Sequence, residues 1–219
     1  MHNIQYSILT VLMTNKVRRF SELRPSRVDS NLFQYHLKKL ITDGYVEKVA
    51  AGYTLSARGL NYADRHSSSL KAERSQPKII VIVIVRNAKG DVLVLRKPQQ
   101  PWLGTYHLPA GKVHDGEPIT VAGQRELLEK TGLKLKEMNH VAGVHVIIRL
   151  SEIIVSEYYG IVLGCDYDGA LVSGEWYPGD DKIELCPSVS EVISLTDSSD
   201  HGLHEWDISV TPNPRFQIS

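Results

Sequence analysis

The sequence predicts an α+β protein with two units in one chain. Three observations predict it. The first 65 residues carry helical apolar spacing with two short strand-like runs, while residues beyond 78 carry β-branched runs around one long helix. Between them the composition turns polar, from Ser67 to Pro77, as expected of a linker. At 219 residues the chain is long enough for two ordinary domains, here expected as 1–66 and 78–219 joined by 67–77.

Taken in order, Ile4, Ile8, Leu9, Leu12 and Met13 recur at helical spacing and predict a first helix. Phe20 to Leu23 reads as a shorter helical piece, stopped by Pro25. Asp29 or Ser30 caps the next helix, which runs to Asp43 and is ended by Gly44. Its expected buried side is Phe33, Leu37, Leu40 and Ile41, leaving Asn31, Gln34, Tyr35, Lys38 and Lys39 outward. Tyr45–Val49 and Tyr53–Leu55 read as two short strands, and a further helix starts near Ser56.

This order, with the run from Asn31 to Lys48 and then Gly52 to Gly59, resembles the winged helix-turn-helix of small bacterial and archaeal repressors. The resemblance implies a helix in the major groove of double-stranded DNA. Asn31, Gln34 and Tyr35 would read base edges, and Lys16, Arg18, Arg19, Lys38 and Lys39 would neutralise phosphates. Winged helices also serve dimerisation and protein contact. Charge favours DNA: residues 1–75 hold 12 Lys and Arg against 6 Asp and Glu, and the remainder 13 against 19.

In the second half, Ile79–Val85 is a β-branched strand, Asn87–Gly90 a turn and Asp91–Leu95 a second strand. Arg96 and Lys97 follow as expected phosphate contacts. Trp102 and Tyr106, in the loop from Pro101 to Gly111, are placed either to stack on a base or to pack the loop. Pro118 suits the first turn of a helix and Gly132 the position just past its end. On that helix Arg125, Glu126, Glu129 and Lys130 are expected on one face, with Val121, Leu127 and Leu128 packing on the other. Glu126 and Glu129, three apart, can share a magnesium ion whose shell is completed by water and substrate phosphates; the alternative is an ordinary solvated face.

Gly111, Glu117, Arg125, Glu126, Leu127, Glu129, Gly132 and Leu133 resemble the Nudix box, in which glycine, glutamate and an Arg-Glu pair recur at this spacing. The resemblance implies an α/β/α sandwich, with Glu126 and Glu129 associated with the metal and with catalysis, Ala110 offering a carbonyl ligand, and Glu117 and Arg125 bracing the loop against the helix. The departure is Lys130, where the family carries glutamate. A protonated lysine has no lone pair to give a cation. It sits four residues after Glu126, the favourable orientation for a helical ion pair, so its ammonium is expected where the cation would lie, or against a ligand phosphate. Gly123, where alanine is usual, suggests a helix not optimised as a rigid platform.

Beyond the box, Val141–Leu150 and Glu157–Leu163 read as strands, with weaker signals at Lys182–Leu185 and Glu205–Val210. The residues from Thr211 to Ser219 cannot form a covering helix. That layer is left to Ser188–Leu195, the N-terminal unit or a second subunit. His140, His145, His201 and His204 show no metal-ligand spacing, and Glu152, Glu157 and Glu205 are candidates for an extra carboxylate. Leu108 to Gly111 resembles ADP-ribose pyrophosphatases, but Ile148 stands where that subgroup carries proline.

Two cysteines, no signal pattern and no long apolar run lead to the expectation of a cytoplasmic protein without a membrane partner. Two functions remain open. One is a homodimeric regulator that binds a nucleoside diphosphate-linked metabolite, hydrolyses it weakly or not at all, and adjusts DNA binding. The other is a magnesium-dependent hydrolase of such compounds, with the N-terminal unit used for oligomerisation or targeting.

Overall fold

The computed structural model describes residues 1–65, 76–180 and 182–211. The expected linker thus falls largely outside the described residues, as does the tail from 212.

The first unit is built from α1 (Asn3–Met13), α2 (Phe20–Leu23), α3 (Ser30–Thr42), the hairpin β1 (Val46–Val49) and β2 (Gly52–Leu55), and α4 (Ala57–Arg65). Asp29 caps α3 by accepting from the N–H groups of Asn31 and Leu32, at 2.8 and 3.1 Å. Ile8, Leu9 and Leu12 of α1 meet Phe33, Leu37 and Leu40 of α3 in one core. Ile41 departs from expectation: it is exposed, and His36 takes the fourth place on the buried stripe, stacked on His2 with ring centroids 4.1 Å apart. The stripe is set by α1, and Ile41 lies beyond its reach. Gly52 lets the hairpin close on the chain before α2, since a Cβ there would lie 2.4 Å from the Arg18 carbonyl oxygen.

The second unit is an eight-stranded mixed sheet between helices. Its strands are β3 (Lys78–Arg86), β4 (Val92–Arg96), β5 (Tyr106–His107), β6 (Ala110–Lys112), β7 (Asn139–Leu150), β8 (Ile153–Asp166), β9 (Glu175–Tyr177) and β10 (Leu203–Val210). The order is β10-β7-β8-β3-β4-β5, with β6 on β3 and β9 on β4. Strand β3 is central, parallel to β8 and antiparallel to β4 and β6. Its side chains alternate between two cores, as a strand buried on both faces requires. Val81, Val83 and Val85 face α5 (Ile119–Thr131), and Ile82 and Ile84 face α6 (Val189–Ser194).

Both α6 and α4 cover the second face. Val189 and Val192 pack there, and Leu60 of α4 packs against the cores of both units. The strand expected at Lys182–Leu185 is absent among the described residues; Leu185 makes only a bridge to Tyr106, and the open edge of β4 is taken instead by β9.

Helix α5 sits rotated from its expected setting. Val121 and Leu128 are exposed, while Ala122, Gly123, Glu126, Leu127 and Thr131 are buried. Small residues at 122 and 123 bring the helix close to the sheet, and this turns Glu126 inward. Gly123 is therefore a packing residue and not a weakness, because a Cβ there would lie 2.7 Å from Leu163 Cδ1 and 3.1 Å from Met138 Sδ.

Candidate functional site

The site forms where the loop ending in β6 meets α5. Gly111 has no side chain, and the Glu126 carboxyl group fills the space a Cβ would take, only 1.9 Å from that point. This close approach explains why glycine is needed before the helix. Arg125 ties the parts together. Its Nε and one terminal nitrogen donate to the two oxygens of Glu117 at 2.8 and 2.9 Å, the other donates to Glu126 Oε1 at 2.8 Å, and the Lys112 carbonyl accepts a further bond at 2.9 Å. The hydrogen bonds from Arg125 pull the Glu117 carboxyl down to about 2, and its carboxylate partners raise Arg125 in turn.

Lys130 completes the group, with Nζ 3.5 Å from Glu126 Oε2. Glu126 thus receives Arg125 on one oxygen and Lys130 on the other. Glu129 is more open; its side chain is 58% exposed and lies 3.6 Å from Arg125. The four charged groups of α5 meet in space, but Glu126 belongs to the packing side of the helix.

Next to this cluster a cleft of about 140 Å³ opens on the α6 face, lined among others by Lys97, Trp102, His107, Ala110, Ile148, Ser156 and Tyr158. Of the residues expected to contact a ligand, Lys97 and Trp102 line it. Arg96 does not: its guanidinium donates to the Gly104 carbonyl, at 3.4 Å. Tyr106 is turned away and donates to Glu175 at 2.7 Å. Trp102 is buried in the core cluster of that face, held at φ 69°, and its indole nitrogen has no hydrogen-bond partner among the described residues.

His107 was not singled out by the sequence, since a lone histidine in a loop carries no signal. Its Nδ1 lies 2.7 Å from the Leu108 carbonyl, which fixes the proton there and leaves Nε2 as an acceptor. Burial pushes His107 down to about 4, with Lys97 and Lys130 acting in the same sense. Tyr158 is pushed up to about 12 by burial and hydrogen-bonds Ser188 at 2.7 Å. The cleft therefore offers the ammonium groups of Lys78 and Lys97, a neutral imidazole and apolar walls, a set suited to an anionic ligand with a flat or apolar body, whereas Lys130 does not line it.

The candidate extra carboxylates lie elsewhere. Glu157 and Glu205 hold the two nitrogens of His145 at 3.2 and 3.1 Å, and neither they nor Glu152 line the cleft. In the first unit, Asn31, Gln34, Tyr35, Lys38 and Lys39 are all exposed on α3. Lys39 already bonds Asp43 at 2.8 Å, and Arg18 is engaged with Asn15 and, at 3.5 Å, with Glu22, whereas Arg19 is exposed.

Residues 76–200 match the family model described as NUDIX domain, and residues 2–65 match one described as a domain of unknown function, DUF7347. The chain belongs to the Nudix family. Among relatives, it is 37% identical over 54 residues to the mouse (Mus musculus) 8-oxo-dGDP phosphatase NUDT18; the match covers 25% of this chain and 17% of that one. Among solved structures, the NUDIX domain of Shewanella oneidensis NrtR complexed with ADP ribose is 17% identical, covering 62% of this chain and 93% of that one with a TM-score of 0.47. The MutT protein of Bacillus halodurans is 22% identical, covering 62% and 92% with a TM-score of 0.47.

Nudix hydrolases generally use a divalent metal such as magnesium. The residues here fit such an ion poorly. Glu126 has an ammonium and a guanidinium on its oxygens, and among the described residues no three His, Cys, Asp or Glu side chains are grouped to hold a metal. No helix among the described residues is long and apolar enough to cross a membrane.

Proposed function

We propose that this chain is a regulator in which the Nudix unit binds a nucleoside diphosphate-linked metabolite, hydrolyses it weakly or not at all, and adjusts DNA binding by an N-terminal winged helix. The observation that carries this reading is the Lys130 ammonium 3.5 Å from Glu126, on the carboxylate that would otherwise hold a cation. A lysine so placed attracts a phosphate without activating water for attack on it. The exposed polar face of α3, with Lys38 and the nearby Arg19, supports a DNA contact.

The regulator acts as a homodimer on a palindromic site, with the Nudix units setting the distance between the two α3 helices. The division into units at 1–66 and 78–219 belongs to the same proposal. The test is binding to the DNA around its own gene, measured with and without the best ligand from a panel of nucleotide sugars, ADP-ribose and dinucleotides. A ligand-dependent change of roughly 5- to 150-fold is expected, and unchanged DNA affinity at saturating ligand overturns the reading.

One observation favours the second reading, an active magnesium-dependent hydrolase: the brace of Arg125 on Glu117 and Glu126 is intact. Vigorous magnesium-dependent turnover of a panel compound by the unaltered protein would establish it.

A further inference from the structure

The cleft is not made by the Nudix unit alone. Asp64, near the end of α4, lines it together with Lys78 of β3 and Ser156 of β8. The Asp64 carboxylate accepts from Lys78 Nζ and, at 3.1 Å, from Ser156 Oγ; Lys78 Nζ also lies 3.4 Å from that hydroxyl. The side chains are well buried, with 7% of Asp64 and 20% of Lys78 exposed. One turn earlier Asn61 donates to the Ile154 carbonyl at 2.7 Å, so the same face of α4 that touches the cleft also fastens the helix to β8. A second tie runs from the loop that carries Lys97 and Trp102: the Gln100 N–H donates to the Met13 carbonyl, at the end of α1, at 2.8 Å.

We infer that the cleft is a composite site in which an anionic group of the ligand competes with Asp64 for Lys78, and thereby loosens α4 from the sheet. The inference rests on the ligand-binding reading above and specifies how the two units communicate. A diphosphate has the charge to take Lys78, because a buried ammonium gains more from two negative charges than from one. The displaced interaction is part of what seats α4, and α4 packs against the core that positions α3. A ligand without an anionic group has no claim on Lys78 and leaves the link intact.

The experiment uses the full chain with inorganic pyrophosphate and ADP-ribose as probes. Calorimetry reads affinity, and amide hydrogen exchange reads residues 57–65. Saturation with either probe should speed exchange in α4 by about fivefold or more, within ordinary coupling energies. Asp64→Asn should show fast exchange without any probe and bind pyrophosphate roughly tenfold more tightly, since the Asp64 charge no longer competes with the probe for Lys78. If that variant fails to fold, Ser156→Ala should shift affinity in the same direction by a smaller factor. A probe that binds while α4 exchange stays unchanged overturns the inference and leaves the regulator reading standing. Failure of both probes to bind overturns the inference, while the regulator reading is decided by the full panel and the DNA-binding test above.

Discussion

Lys130 Nζ stands 3.5 Å from Glu126 Oε2, one helical turn apart, and Glu126 Oε1 accepts from Arg125 at 2.8 Å on its other side. A carboxylate buried against Gly111 is thereby neutralised by side chains of its own helix. Replacing the ammonium by a carboxylate should reverse this. Lys130→Glu is expected to raise magnesium-dependent turnover of panel substrates at least about tenfold, which is only about 1.4 kcal/mol of barrier. Steady-state rates with and without magnesium check it, and a slower variant from a fast parent would mean that another carboxylate serves the ion.

Gly123 lies against Leu163 and Met138, with no room for a Cβ. Gly123→Ala gains about 0.5 to 1 kcal/mol of helix propensity but overpacks a buried contact at a cost of about 1 to 3 kcal/mol. A net loss of about 1 kcal/mol is expected, read as a lower urea midpoint. A higher midpoint would show that Leu163 has space to turn aside.

Glu117 is held at about 2 by the hydrogen bonds of Arg125, with the His114 backbone N–H adding to the effect, against an ordinary value of 4.5. A folded-state value below the unfolded one contributes stability above the unfolded value and loses it as protons return. That contribution should be complete above about pH 5 and disappear between about pH 4.5 and 2. Thermal unfolding of Glu117→Gln across this window should show a flatter acid limb than the parent, and parallel limbs would place the acid sensitivity elsewhere.

On α3 the two lysines are not equivalent. Lys39 bonds Asp43 at 2.8 Å, whereas no ion pair is seen for Lys38 among the described residues. If the face binds DNA, Lys38→Ala should lower the slope of log affinity against log salt by about 0.9, and Lys39→Ala by less. Equal slopes for both variants would indicate that Asp43 releases Lys39 on binding.

Much of this chain was legible without coordinates. The helix from Pro118 to Gly132, the β-branched core strand, the short piece at Phe20–Leu23 and the box spacing are local signals, because periodicity, caps and turn glycines act over a few residues. The contact of Lys130 with Glu126 follows from helical spacing, whereas the brace of Arg125 on Glu117 was legible only through the resemblance of the box.

The rotation of α5, the burial of Glu126 and the role of Gly123 needed the tertiary structure, since they depend on how closely a helix can approach Leu163, forty residues away in the chain. The same holds for the strand at Glu175–Tyr177, which forms because β4 offers an edge, and for the cleft that gathers Asp64, His107 and Ser156. The residues alone determined which elements form and which charged groups stand within a turn of one another. Which face of α5 meets the sheet, and that α4 of the first unit lines the cleft, were decided only by long-range packing, in which burial of apolar surface outweighs the local preferences a sequence displays.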